Sequence, residues 1–245
     1  KGIREYAAFN PSHSFASPQL VERVANQDLH AKPVPDMIII THPRYMTQAQ
    51  RVAALHESVD SMRVLTLSQD EIFNEFSSGV PDMMAYRMLC KYFYDRGTDE
   101  GGHHLQYLLL MGNGSFDNKQ LTSEFKAVAY PALLTWQSTR SNAESSSYCT
   151  DASVASLQDG AGNSWGANSM DISVGRFPVK SEEEARVAVD KLIQYVTSPI
   201  YGSWRNNAIL VADDEQNGDF MKQTEEYIKA SHADFGEQTV ALEHF

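Results

Sequence analysis

Cysteine is almost missing from this sequence: 245 residues carry two, Cys90 and Cys149. Two cysteines support neither a disulfide framework nor a zinc cluster, so a hydrophobic core has to hold the fold. Long apolar runs are missing too. No stretch approaches the ~18 residues of a membrane-spanning helix, and the first residues do not read as a basic-then-apolar leader. Positive charge is scarce, with 20 Lys and Arg against 32 Asp and Glu. The resulting net charge of −12 opposes a phosphate backbone, and nucleic acid is not an expected partner. No Gly-Lys-Ser/Thr and no His-Gly pair occurs anywhere. The opening Lys1, Arg4, Glu5 and Tyr6 read like the interior of something longer, so an excised or processed piece is expected.

What is present is globular. A hydrophobic content of 42% fills one large core or two smaller ones and excludes disorder of the whole chain. Three short apolar runs each stop at polar residues or glycine: Met37 to Ile40 before Thr41 and His42, Leu108 to Met111 before Gly112, Asn113 and Gly114, and Ile209 to Val211 before Asp213, Asp214 and Glu215. Continuous rather than alternating apolar strands are buried on both faces, which predicts a mostly parallel sheet flanked by helices. Ligands of such sheets bind beyond the carboxyl ends of the strands, where these polar clusters fall.

The organisation divides in three. Residues 1–33 are a proline-punctuated lead-in with one helical patch from Pro18 to Leu29, on which Leu20, Val21 and Val24 share a face. Residues 34–125 read as a first α/β subdomain. It holds strand 37–41, a helix opened by Thr47 and Gln50 with a stripe of Val52, Leu55 and Val59, and strand 64–67. A capping box of Ser68 and Glu71 follows, then a helix from Pro81 with Ala85, Met88, Leu89 and Tyr92 on one face until Gly97, and strand 107–111. Residues 126–245 read as a long loop, 137–169, and the front of a second, truncated subdomain. Strand 172–174 precedes a Gly175-Arg176-Phe177 turn and a helix opened by Ser181 and Glu184; strand 209–211, a helix from about Asp219 to Ser231 and a strand at 239–242 complete it.

Several motifs are weak by themselves. Ala208 to Glu215 looks like the first strand of a receiver domain, but too little chain follows it. As a calcium loop it needs Glu where Thr224 stands. Gly112 and Gly114 suit a tight turn better than a phosphate cradle, because Asp117 occupies the third glycine place. His103 and His104 read as exposed loop residues and Cys90 as a small buried hydrophobe. Cys149, in the long loop, is disfavoured as a nucleophile. Arg176 is expected to neutralise a loop carboxylate or reach carbonyls rather than read a substrate. No cofactor is expected, and no metal-ligand set is legible.

Three segments read together carry a resemblance: V-P-D-M-I-I-I-T-H-P (34–43) with N-E-F-S-S-G-V-P-D (74–82), Y-L-L-L-M-G-N-G-S-F-D-N (107–118), and M-D-I-S-V-G-R-F-P-V (170–179). They resemble the gingipain-type cysteine peptidases of Bacteroidetes, and within them the PorU type, the surface sortase of the type IX secretion system. The resemblance implies a caspase-like domain of two subdomains, a protein or peptide substrate, other secretion-system components as partners, and a location at the cell surface. It implies a catalytic His after an aliphatic strand and a Cys on the next, both expected beyond Phe245. It also implies a supporting acid at the strand end before them, with Glu215 the best match and Asp214 and Asp213 beside it. A non-catalytic, peptidase-like binding module is the competing expectation.

Overall fold

Four strands form one parallel sheet in the order β2-β1-β3-β6: β1 (Met37–Thr41), β2 (Val64–Ser68), β3 (Tyr107–Met111) and β6 (Ser173–Phe177). This computed structural model describes residues 6–235, apart from 7, 13–14, 16, 21–22, 128–129, 139–146, 162–168, 207–209, 211 and 213–214. β1 lies between two partners and is buried along its whole length, with Ile38, Ile39 and Ile40 each 0% exposed. The pleat sends Met37 and Ile39 to one face and Ile38 and Ile40 to the other. One face carries α1 (Met46–Val59) and α6 (Glu182–Thr197), whose Ala49, Val52, Ala185 and Val189 pack on Ile39, Leu109 and Met111. The other carries α2 (Gln69–Phe76), α3 (Met83–Asp95) and the short α5 (Ala152–Ala155), joined to Ile38, Ile40, Leu108 and Leu110 through Ile72, Leu89, Phe93 and Val154. The result is a three-layer α/β/α arrangement.

Local sequence explains most element ends. Ser68 accepts from Glu71 N–H while the Glu71 carboxylate accepts from Ser68 N–H, so the expected capping box starts α2. Asp82 caps α3 through Met84 N–H, and Gly97 follows its end at φ 64°, a conformation that costs glycine little. Ser181 caps α6. α1 starts differently. A 3-10 turn, Pro43–Tyr45, runs straight into it, and Tyr45 at the junction makes no side-chain cap, so Thr47 and Gln50 form no box.

Other expectations are corrected. The described part of 18–29 is not helical, because Leu20 and Val24 are exposed and only Leu29 reaches the core; an isolated short helix has little to stabilise it. Val59 and Met88 face solvent, each at the edge of its stripe. The segment read as a long loop, 137–169, carries β5 (Cys149–Thr150), which pairs antiparallel as a hairpin with β4 (Trp136–Gln137) at its start, and α4 (Ser123–Ala127) precedes it. Gly175, Arg176 and Phe177 are not a turn but the second half of β6, which pairs with β3 in the first sheet. α7 (Glu215–Phe235) covers the expected last helix and begins four residues earlier. The strand expected at Ile209 to Val211 and the one at 239–242 fall outside the described residues, Leu210 excepted.

The contrast between centre and edge is testable by urea denaturation. Ile39→Ala is expected to lower the unfolding free energy by about 3 kcal/mol, since a methylene-lined cavity opens against both neighbours. Ser68→Ala is expected to cost about 1 kcal/mol through the lost cap. Val59→Ser, at 51% exposure, is expected to stay within about 0.5 kcal/mol.

Candidate functional site

All four strands of the main sheet run parallel, so their carboxyl ends share one rim. At the tip of β1, buried Thr41 donates its hydroxyl to Met111 O (3.1 Å), and His42 follows. Arg44 N–H donates to His42 Nδ1 (3.2 Å), which leaves the ring proton on Nε2. Burial lowers the His42 pKa, with Asp70 opposing and Arg44 adding to the shift, so the ring is neutral at pH 7. At the tip of β2, Gln69 Oε1 accepts from Tyr86 OH (2.9 Å).

At the tip of β3 the chain turns through Gly112, at φ 151°. A Cβ there would lie 2.9 Å from Leu133 Cγ, so glycine is required by closeness as well as by backbone angle. Gly112 N–H donates to Phe177 O and Asn113 N–H to Val179 O, both at 2.9 Å. The amides that a phosphate cradle would need at these two positions are already spent on the chain after β6.

Arg176, near the tip of β6, is the best-connected side chain on the rim. Its Nε and Nη2 grip both oxygens of Asp151 at 2.7 Å, while Nη1 reaches Gly112 O (2.8 Å) and Nη2 reaches Leu134 O (3.1 Å). The side chains are 13% and 20% exposed. This is both structural jobs expected of it: one carboxylate neutralised, two carbonyls satisfied, and the β3 turn tied to the hairpin. Asp151 gave no signal in sequence, because its partner is 25 residues away.

A hollow of about 270 Å³ beside this ion pair is lined by Gly114, Ser115, Thr135 and Cys149. The Cys149 thiol is pushed up from its ordinary pKa by burial and then by Asp151, with Arg176 opposing. It therefore stays a thiol at neutral pH, and no described histidine contacts it. Cys90 is wholly buried on α3, and desolvation pushes its thiol to about 12. Glu215 opens α7, while Asp213 and Asp214 lie outside the described residues. The calcium-loop positions from Glu215 onward are helical.

Among the described residues one trio has metal-ligand geometry, Asp28, His30 and Glu75, with ligand atoms within 4.8 Å of one another. Both of its carboxylates are already engaged, Asp28 by Ala31 N–H (2.9 Å) and Glu75 more fully. Glu75 accepts from Gln27 Nε2 (3.0 Å), Leu29 N–H (2.8 Å), His30 N–H (3.0 Å) and His30 Nδ1. His30 stacks on Phe76, and Tyr92 OH donates to His30 O (2.7 Å). The trio is a clasp that fastens the lead-in to α2 and α3, seating Leu29 in the core. Burial pushes the Glu75 carboxyl up, but the donors from Gln27, Leu29 and His30 outweigh it and hold it at about 2.

At the opposite end of the sheet, Asp36 accepts from Arg63 N–H, His104 N–H and His103 Nδ1 (2.6 Å). His103 is thus a half-buried anchor rather than an exposed loop residue; His104 is exposed. This knot lies away from the rim.

The chain belongs to peptidase family C25: the family model matches residues 30–244. Its fold is the caspase-like α/β fold of the gingipains and PorU. The chain is 31% identical to dimeric latent PorU from Porphyromonas gingivalis, with a TM-score of 0.67 over 80% of this chain and 21% of PorU. It is 15% identical to the Arg-specific cysteine proteinase gingipain R, with a TM-score of 0.53 over 89% of this chain and 43% of that one. The complex of Porphyromonas gingivalis RgpB pro- and mature domains gives 16% identity and a TM-score of 0.53, over 84% of this chain and 42% of that one. The chain thus spans about a fifth of PorU and under half of the gingipain chains. No curated protein matches it. Among the described residues no helix is long and apolar enough to cross a membrane.

Two outcomes follow from the rim and the clasp. Arg176→Met is expected to cost about 3 kcal/mol in urea denaturation by stranding Asp151, and Arg176→Lys to recover little, because an ammonium lacks the two-pronged fork. Glu75 has a folded pKa below its ordinary 4.5, so its stabilisation is complete above pH 4.5 and disappears as pH falls through about 2. Hydrogen-exchange protection of the Leu29 and His30 amides is expected to fall across that window, and Glu75→Gln to remove the pH dependence.

Proposed function

We propose that this chain is the front part of a gingipain-like cysteine peptidase or transpeptidase domain of the PorU type, which processes secreted protein cargo at the cell surface. The family match over residues 30–244, together with 31% identity to PorU, carries the reading. Residues 34–125 and 126–245 are then the first α/β subdomain and the front of the second, with β6 of the latter span added to the sheet of the first. The reaction is acyl transfer. A cysteine thiolate attacks the scissile carbonyl, a histidine removes and returns the proton, and backbone N–H groups hold the oxyanion. Sequence beyond Phe245 supplies both the cysteine and the histidine. Glu215, with Asp214 and Asp213 beside it, is the acid that orients the imidazole. In the PorU reading the substrate is the C-terminal sorting domain of a secreted protein, the acyl group passes to a surface lipopolysaccharide, and other type IX secretion components are partners.

The full-length parent tests this with peptide hydrolysis before and after thiol alkylation. Alkylation is expected to abolish hydrolysis. Glu215→Gln is expected to lower kcat/KM by roughly 10²-fold, whereas Asp213→Asn and Cys149→Ala stay within about twofold. Loss of activity in folded Cys149→Ala would overturn the assignment. A parent without thiol-dependent hydrolysis would instead be the non-catalytic binding module.

A further inference from the structure

A groove of about 660 Å³ opens on the carboxyl rim between the α2–α3 connection and the β4 strand. One wall is Val80, Met83 and Met84; the other is Leu134 and Trp136; Lys119 stands at its edge. Its place on the rim follows from two bonds. Tyr86, one turn into α3, reaches Gln69 directly after the tip of β2, and the wall across the groove is tied through Leu134 O to Arg176 at the tip of β6. Val80 is 59% exposed and Met84 38%. Such apolar surface on a rim is recognition surface rather than core.

The walls have chemistry of their own. Methionine is unbranched and polarisable, so the exposed Met84, backed by the buried Met83, adapts to differing apolar side chains, and Trp136 offers an anchor held against Tyr148 (6.0 Å). Strand addition is blocked at Thr135, because the Asn118 side chain already takes Thr135 N–H (3.1 Å) and donates to Thr135 O (2.7 Å), as a neighbouring strand would. Recognition here therefore runs through side chains.

Charge selects the occupant. Lys119 makes no hydrogen bond or ion pair with any described residue; Asp82, in the wall with Met83 and Met84, caps Met84 N–H (2.9 Å) with one carboxylate oxygen and keeps its charge. In a chain of net charge −12, that leaves a cation with no described partner beside an apolar slot. At physiological salt it acts over roughly 8 Å, the reach of adjacent residues in an extended peptide.

We propose that this groove is an exosite for an extended segment of protein substrate in which an apolar side chain neighbours a carboxylate. The apolar side chain enters between Met84 and Trp136, and the carboxylate pairs with Lys119. That the occupant is substrate rests on the peptidase reading above; the groove's selectivity does not.

The probes are the acetylated, amidated peptide Gly-Ser-Leu-Glu-Phe-Gly-Ser and its analogue with Lys for Glu, titrated into the 245-residue chain by calorimetry and tryptophan fluorescence. The Glu peptide is expected to bind about tenfold more tightly than the Lys peptide. Lys119→Glu is expected to reverse the preference, and Met84→Asp to abolish binding of both; circular dichroism checks that each variant folds. In the full-length parent, Lys119→Glu should raise KM for a protein substrate while leaving kcat and short-peptide hydrolysis unchanged. Equal binding of the two peptides, no binding of either, or a preference unaltered by Lys119→Glu would overturn the exosite. An active parent with an indifferent groove overturns this inference alone. An inactive parent with a charge-selective groove overturns only the enzymatic reading of its occupant.

Discussion

Burial of β1 on both faces is the constraint on which the rest is built. Ile38, Ile39 and Ile40 have no exposure, so water satisfies none of the main chain there, and a hydrogen-bonded neighbour is required on each side. β2 and β3 take those places, and parallel pairing requires long crossovers that carry helices over the faces. Alternate side chains of one five-residue strand thus feed two separate cores. The same geometry delivers His42, Ser68 and Gly112 to a single edge.

Around this sheet, charged groups fasten the segments that the cores do not hold. Asp36 binds the amino ends of β1, β2 and β3 through Arg63, His103 and His104. Glu75 holds the lead-in, and Arg176 holds the hairpin. Each joins positions at least 25 residues apart with charge-assisted bonds, and each leaves a costly unpaired group if its partner is removed. The fastening at the rim has a consequence for the surface beside it. Arg176 ties the β3 turn to the hairpin as one wall, and the groove beyond that wall presents the exposed Met84.

Legibility followed the range of the interaction. The Ser68–Glu71 box spans three residues and was readable, as were the strands 37–41 and 107–111 and the burial of Cys90. His103 looked like a loop residue because Asp36 stands 67 positions before it. The 18–29 patch carried helical spacing without anything to pack against, and Val59 and Met88 carried apolar character at the wrong edge of their stripes. Of the rim, the sequence showed that the ends of strands 37–41 and 107–111 would meet and that Arg176 would be structural; the third strand end it named, at 209–211, lies outside the described residues apart from Leu210. It did not show Asp151 as the partner, or the groove, whose walls come from residues 80–84 and 134–137. The strand-end pattern drew attention to the acids at 213–215, but their orienting role is implied only by family resemblance, since nothing local separates an orienting carboxylate from a helix cap.

By itself the sequence determined the class of the fold, the strands at 37–41, 64–67 and 107–111 with the helices that cover them, and membership of a peptidase family, because those depend on apolar periodicity and short motifs carried in contiguous residues. Tertiary structure alone decided that β6 joins the first sheet, that Glu75 and Arg176 fasten distant segments, and that Lys119 stands at an apolar groove with no described residue paired to it. Those outcomes depend on which distant groups come within hydrogen-bonding distance, and a linear pattern does not encode that.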